Sequence, residues 1–396
     1  MNVLFICDEY PPLKNGGIGT FIKLLAQKLS EQNHRVIVYG LCDRNSGKFP
    51  SFTKDKNVTV IRDYYNLKIP RLVSETFIGK VFKKIGGLIT LSFWNKRYKD
   101  RIDKLIDEYA IDIIETPDWD EKVIKNPLFE LLPETTKCPI VVRLHGSYTY
   151  FQKEQNKPVN DEIFRRENLL YDQASGLISV SHYAREKYKE FYPIEKDIVV
   201  IPNGIKQTNL SVKRETRGKV QFVFFGTLTT KKGIFTLIEA WNLICKNDDL
   251  HTLHIYGKGN VAVIQSLLHE SALKRTIFHG HVNRQDLLND IVNYDVAVLP
   301  SYSETFGLAA IEAMNAGLTT IFTTLSTGPE IINHNVDGLL VDPTSVNDLV
   351  EKMNYLITNP LENVRLGKAG KERAKTFTIE NTASLTIQFY ERVMAS

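Results

Sequence analysis

Cysteine is scarce in this chain: four in 396 residues, at positions 7, 42, 138 and 245, with no Cys-x-x-Cys spacing. Cys7 and Cys245 sit inside apolar runs, so the set reads as reduced packing residues rather than a disulfide framework or a thiolate metal site. Long apolar runs are lacking too. No window approaches the roughly eighteen uninterrupted apolar residues of a membrane-spanning helix. The apolar run at the start, Val3 to Cys7, has no basic stretch ahead of it. That predicts a first β-strand instead of a signal peptide, and a cytoplasmic protein on the inner side of the membrane. Net charge is only +4. Neither a zinc-finger spacing nor an aromatic RNP pattern is present, so no nucleic-acid partner is expected. Internal repeats and low-complexity tracts are also missing.

What the chain does have is 43% apolar and 24% charged residues, the balance of a globular protein. Its length lets two domains each bury a core without cross-links. Short β-branched runs alternate with longer helical patterns from end to end, as in parallel sheets covered by helices on both faces. The first half predicts strands at 3–7, 35–39, 58–61, 111–115, 140–144, 176–180 and 198–201. The second half predicts them at 220–225, 252–256, 276–279, 295–300, 319–322 and 338–341. Between the halves lie the turn Pro202-Asn203-Gly204 and the polar stretch Lys206 to Lys219, which set the expected boundary. The fold class is therefore α/β: two Rossmann-like, doubly wound parallel-sheet domains facing across a cleft. Chemistry is expected on the loops that follow the strands.

The densest signal is the segment from Asp295 to Gly317. A buried strand ends at Pro300, a polar loop carries Glu304, and a helix opens near Phe306, Gly307 and Leu308, whose free amides form an anion site. Gly307 lets a ligand approach the backbone. Glu312, in the second turn, is placed to accept hydrogen bonds from sugar or ribose hydroxyls. Two glutamates eight apart, followed by Ala313-Met314-Asn315-Ala316-Gly317, resemble the GT4 family of retaining glycosyltransferases, and the resemblance covers nearly the whole chain. It implies the GT-B fold, with a nucleotide-sugar donor domain at 205–376 and an acceptor-side domain at 1–204. A last helix, 377–396, would cross back to the first domain. It also places Glu304 beside the donor sugar and Glu312 on the nucleotide ribose.

Other segments fit the same resemblance. Gly16 and Gly17, in the loop Asn15-Gly16-Gly17-Ile18-Gly19 after the first strand, match the family loop that faces the pyrophosphate; as bare sequence they could simply tighten a strand-to-helix turn. His145 follows the strand 140–144 and matches a histidine beside the reacting sugar. Glu115-Thr116-Pro117-Asp118-Trp119 resembles the segment lining the acceptor side, with packing as the other reading of Trp119. Asp118-Trp119-Asp120 also has the D-x-D form of metal-dependent transferases, which GT-B enzymes of this type do not need. Lys231 and Lys232, before Gly233, put positive charge where a leaving diphosphate develops negative charge. Lys232 matches the family lysine, whereas Thr227 stands where the family has an arginine. Gly257 matches the loop bordering the base, and Glu330 either a family helix start or a carboxylate favoured by the helix dipole.

The resemblance implies a metal-independent, hexosyltransferase-type enzyme without cofactor, with His145, Glu304 and Lys232 as catalytic residues. It would move a sugar from a nucleoside-diphosphate sugar, with UDP or GDP as the nucleotide, to a glycan or lipid-linked acceptor in surface polysaccharide or glycolipid synthesis. Three other readings stay open: a dinucleotide oxidoreductase, disfavoured because Ile22 stands where a third glycine belongs and because a second complete domain follows; a non-catalytic nucleotide-sugar-binding subunit, against which Glu304, Glu312, His145 and Lys232 argue and for which Thr227 argues mildly; and a disaccharide phosphorylase. Between Lys68 and Lys104, ten basic residues face three acidic ones amid apolar residues. This pattern points to an anionic membrane surface as a further partner.

Overall fold

A computed structural model of the chain describes residues 1–13, 16–43, 49–65, 77–120, 122, 124, 129–132, 137–207, 218–246 and 250–396, with backbone only for 77–91. Asn15, most of the polar stretch 206–219, and residues 68–76 with the side chains of 77–91 from the basic stretch lie outside the described residues. The chain divides into two compact units. Unit 1 is Met1–Val180, Ala184–Pro202 and Ile379–Ser396; unit 2 is Ser181–Tyr183 and Asn203–Thr378.

Unit 1 holds an eight-stranded sheet: β1 Asn2–Ile6, β2 Arg35–Asp43, β3 Phe52–Asp55, β4 Val58–Tyr65, β5 Ile113–Pro117, β6 Ile140–Leu144, β7 Gly176–Ser179 and β8 Ile198–Val200. Their order is β3-β4-β2-β1-β5-β6-β7-β8. All neighbours pair in parallel except β3 with β4. Seven of these strands follow the predicted runs. The eighth, β3, is a polar edge strand, Phe-Thr-Lys-Asp, whose Phe52 is exposed. It hairpins onto β4 through Lys56, which takes a positive φ of 53°. An edge strand with solvent on one side has no continuous apolar run to betray it. The buried central strands do, and β1, β5, β6 and β7 have almost every residue inside.

A buried ion pair interrupts that core. Arg143 of β6 is fully buried and forks onto Glu115 of β5, with Nε and Nη at 2.8 and 3.0 Å from the two carboxylate oxygens. The helix Ile379–Ala395 completes the set: Thr386 accepts from Arg143 at 3.0 Å, and the Tyr390 hydroxyl donates to Glu115 at 2.6 Å. Gly176 makes room for this helix, because a Cβ there would lie 2.7 Å from the Phe389 ring. Burial of an apolar helix face supplies the gain, and the fork satisfies charges that would otherwise be stranded.

Unit 2 holds six parallel strands: β9 Gln221–Phe225, β10 Thr252–Tyr256, β11 Thr276–Gly280, β12 Val296–Leu299, β13 Thr319–Thr323 and β14 Leu339–Val341. Their order is β11-β10-β9-β12-β13-β14. The strand order reverses between β9 and β12 here, and between β1 and β5 in unit 1. At such a point the loops leave the sheet in opposite directions and open a crevice at the carboxyl ends of the strands.

Candidate active site

In unit 2 the loops after β9, β10 and β12 close on one another at the reversal point. After β9 the chain runs through Thr227 to a short 3₁₀ turn, Thr230–Lys232, then turns at Gly233 (φ 72°) into the helix Ile234–Ile244. No other residue fits at 233, since a Cβ would stand 1.9 Å from the Pro300 carbonyl oxygen. The two loops are tied by Tyr302, whose amide donates to the Lys231 carbonyl at 2.9 Å. Gly257 after β10 is equally confined, its Cβ position lying 1.7 Å from the Gly226 carbonyl oxygen.

This confinement sets the distance between two predicted residues. Lys232 Nζ lies 2.6 Å from Glu304 Oε1, which also accepts from Ser301 Oγ at 2.9 Å. Both charged side chains are partly exposed. Beyond Glu304, Phe306 is buried and Gly307 caps the helix Leu308–Asn315 in the left-handed region, φ 86°. Thr327 donates to the Phe306 carbonyl at 3.0 Å and fixes the approach to the helix start. Glu312, nearly buried, forms an ion pair with Arg284. Arg284 opens the helix Arg284–Ile291, which Asn283 caps. The sequence reading left Arg284 out; its only local signal is the Asn283 cap, and the pairing with a residue 28 positions away is tertiary.

The predicted residues of unit 1 follow β1, β5 and β6. Gly16 caps the helix Gly17–Glu31, and a Cβ on it would collide with the Glu9 carboxylate at 2.2 Å, whereas one on Gly17 would meet nothing within 4 Å. A Cβ at Gly16 would need only the tip of the Glu9 side chain to shift, and Gly17 leaves the backbone open. The loop after β6 winds around two residues. Asp118 accepts the His145 amide at 2.8 Å and the Tyr188 hydroxyl, and that hydroxyl accepts the amides of Gly146 and Ser147 at 3.0 Å each. Asp118, only 1% exposed, therefore orients the His145 loop and offers no surface to an acceptor. Burial pushes its carboxyl up to about 7, against the pull of the Tyr188 hydrogen bond. Glu115 likewise faces the interior, on Arg143. Trp119 is half-buried, edge to face with Phe151 at 6.3 Å. Asp120 pairs with Lys122, so the carboxylates of the D-x-D segment are committed to protein donors. Glu330 accepts the amides of His182 and Tyr183 at 2.9 and 2.6 Å, capping the helix His182–Phe191. It is a cap for a distant helix rather than a first-turn carboxylate alone.

The His145 imidazole is buried, 5.4 Å from the Phe21 ring. Burial, and then the Arg143 charge, push its pKa down from 6.5 to about 3. A depressed pKa means that the native state binds fewer protons. The stabilisation is present above the unfolded value and fades as pH falls from about 6.5 towards 3. Its role at neutral pH is that of a neutral hydrogen-bonding group. The imidazole proton resonances should show no titration from pH 8 to 4; a midpoint near 6.5 would contradict the burial.

The comparisons agree with this architecture. Sucrose-phosphate synthase from Thermosynechococcus elongatus superposes with a TM-score of 0.76 at 20% identity, covering 100% of this chain and 99% of that one. Anabaena HepE in complex with UDP gives 0.69 at 16%, covering 99% and 100%. The fold is GT-B, and the protein is a glycosyltransferase. Residues 15–208 match the model "Glycosyltransferase Family 4" and residues 206–373 the model "Glycosyl transferases group 1", and the chain belongs to this family. Glycogen synthase of Mycobacterium tuberculosis is 24% identical over 399 residues, 98% of this chain and 94% of that protein. No described helix is long and apolar enough to cross a membrane.

Proposed function

We propose that the protein transfers one sugar from a nucleoside-diphosphate sugar to an acceptor hydroxyl, keeps the donor's anomeric configuration, and needs no metal ion. The observation that carries this reading is the Lys232–Glu304 pair at the strand reversal of unit 2, beside the helix start at Gly307. A diphosphate placed there meets the Lys232 ammonium and free helix amides, both suited to developing negative charge. Glu304 orients the ammonium and faces the donor sugar. Glu312 and Arg284 hold the ribose end, and Thr227, Lys231 and Gly257 border the nucleotide.

The acceptor oxygen bonds to the anomeric carbon on the face from which the diphosphate leaves. The bond to the diphosphate oxygen breaks, and the leaving group takes the acceptor proton. No protein nucleophile is required; orientation and charge stabilisation do the work. The committed carboxylates of Asp118 and Asp120 support independence from metal. Gly16 and Gly17 face the donor's pyrophosphate, His145 stands beside the reacting sugar, and Trp119 belongs to the acceptor side.

The test is release of nucleoside diphosphate from a panel of UDP- and GDP-sugars in excess EDTA, with the product anomer read by NMR. UDP-sugars come first because the Anabaena neighbour holds UDP. Retained configuration and activity in EDTA are expected. Binding without release would indicate a non-catalytic subunit, and turnover dependent on inorganic phosphate a phosphorylase. Rescue only by Mn²⁺ or Mg²⁺ would return Asp118 and Asp120 as ligands. A role in surface polysaccharide, glycolipid or glucan synthesis at the inner membrane face fits the basic stretch 68–104. Sedimentation with anionic but not neutral vesicles is the expected result, and equal, negligible binding to both removes the membrane.

Replacing Glu312 by alanine removes the ribose acceptor and leaves Arg284 without its partner. Hydrogen bonds to a charged group are worth ~1.5–3 kcal/mol each, so nucleoside-diphosphate affinity should fall about tenfold or more. Calorimetry on the free nucleotide reads this directly, and unchanged affinity would remove Glu312 from the ribose.

A further inference from the structure

The loop after β6, which carries His145, is held by two buried carboxylates. Asp118 takes the His145 amide directly and the Gly146 and Ser147 amides through Tyr188, as described above. Glu167, on the helix Asp161–Gln173 and 2% exposed, forms a second set. Its Oε1 accepts the Thr149 amide at 3.1 Å and its Oε2 the Tyr192 hydroxyl at 2.8 Å. Tyr192 Oη lies 2.5 Å from Ser147 Oγ, which accepts the Tyr150 amide at 3.2 Å and so caps the helix Tyr148–Glu154. The proton count fixes the polarity. Tyr192 has one hydroxyl proton and gives it to Glu167, so Ser147 donates to Tyr192 and keeps its lone pairs for the helix start.

The same device, a carboxylate, a tyrosine and loop amides, thus occurs twice. Tyr188 and Tyr192 stand one helical turn apart with their rings stacked at 5.6 Å, so one stretch of chain delivers both hydroxyls. Together the two sets take the amides of His145, Gly146, Ser147, Thr149 and Tyr150. All of these groups belong to unit 1. Gly146 makes the bend at φ 105°, a conformation open to glycine and strained for other residues. Burying a carboxylate costs stability unless donors meet it. Burial pushes the Glu167 carboxyl above its ordinary range, and the surrounding donors, those of Thr149 first, draw it back. An apolar side chain at 167 would fill the space without that cost. It would not fix the direction of backbone amides, which hydrogen bonds do.

We propose that Glu167 is a positioning residue for sugar transfer: through the Thr149 amide and the Tyr192 hydroxyl it fixes the loop 145–149, so that the His145 imidazole meets the reacting sugar in one orientation. Asp118 ties the start of the loop and Glu167 its end. With both ends held, the imidazole turns only about its own side-chain bonds, and a group that must stand within hydrogen-bond reach of a reacting centre gains from that restriction. The proposal rests on the transferase reading for the part that His145 plays; the hold on the loop does not.

Kinetics and hydrogen exchange on the full chain test it together. Glu167→Ala should lower kcat roughly tenfold, within the range that misplacing a reacting group costs. Tyr192→Phe, which keeps the ring stack, should lower it roughly three- to tenfold, as for one hydrogen bond. Glu167→Gln should restore most of the rate, because its oxygen still accepts the Thr149 amide and its nitrogen can donate to Tyr192. UDP affinity, read by calorimetry, should stay as in the wild type in all three. In a His145→Ala background, Glu167→Ala should add no more than about twofold, since its effect passes through the imidazole. Exchange needs no turnover: in Tyr192→Phe the amides of Thr149 and Tyr150 should exchange about tenfold faster, with those of β6 unchanged. Fully additive losses in the double variant, wild-type exchange in the loop, or a rise shared equally by β6 would each overturn the proposal. Failure of the wild-type chain to release nucleoside diphosphate would count against the transferase reading, and the exchange result would still decide whether Glu167 and Tyr192 hold the loop.

Discussion

Replacing Lys232 by alanine should lower kcat by roughly ten- to a hundredfold and weaken donor binding as well. One charged hydrogen bond is worth ~1.5–3 kcal/mol, and a bond that strengthens as the diphosphate departs acts on the barrier itself. The structure sharpens this expectation. Lys232 is the ammonium paired with Glu304, so its removal also leaves the carboxylate with Ser301 as its remaining side-chain partner among the described residues, and a negative charge near the leaving group. Lys231→Ala should be milder, because that residue holds the neighbouring loop through its backbone carbonyl, which the substitution keeps. Thr227 is exposed, so Thr227→Arg has room to place a guanidinium on phosphate. Tighter binding of the nucleoside diphosphate is the expected result. Steady-state kinetics with calorimetry on folded variants decides; near-wild-type activity in Lys232→Ala would overturn its role.

Glu115→Ala should be the most damaging substitution for stability, at about 3–5 kcal/mol, the usual cost of leaving a buried charge without its partner. Among the described residues Arg143 would keep only Thr386 as a hydrogen-bond partner, in a site shut off from solvent. Tyr390→Phe removes one bond to the same carboxylate and should cost less, ~1.5–3 kcal/mol. Urea unfolding followed through Trp94 and Trp119, the tryptophans of unit 1, measures both. A Glu115→Ala loss no larger than that of a surface glutamate such as Glu362 would show that the fork contributes little. Charge reversal or truncation of the helix Ile379–Ala395 should act on the same network, since two of its four residues lie on that helix.

Much of the architecture was legible because its signals are local. A strand buried on both faces must be a short apolar run, and a helix over a sheet must carry an apolar stripe, whichever neighbours it meets. The loop with Glu304, Gly307 and Glu312 was legible for a similar reason: a strand end, a glycine in a positive-φ position and a helix start lie within a few residues. The polar edge strand β3 had no such signal. Arg143 stands in the middle of an apolar strand, and Glu115 lies in a segment whose family resemblance points to the acceptor side, while its actual partner stands 28 positions away.

The sequence by itself determined the alternation of strands and helices, the doubly wound parallel class and the loops on which charged residues would stand. These follow from periodicity, turn chemistry and strand burial, which act over a few residues. Tertiary structure alone decided which charges meet: Lys232 with Glu304, Glu312 with Arg284, Arg143 with Glu115, and Glu330 with a helix start 147 positions away. It also decided that Asp118 turns inward to hold the His145 loop. Pairing energies depend on distance and burial, and those quantities exist only once strand order has brought remote segments together.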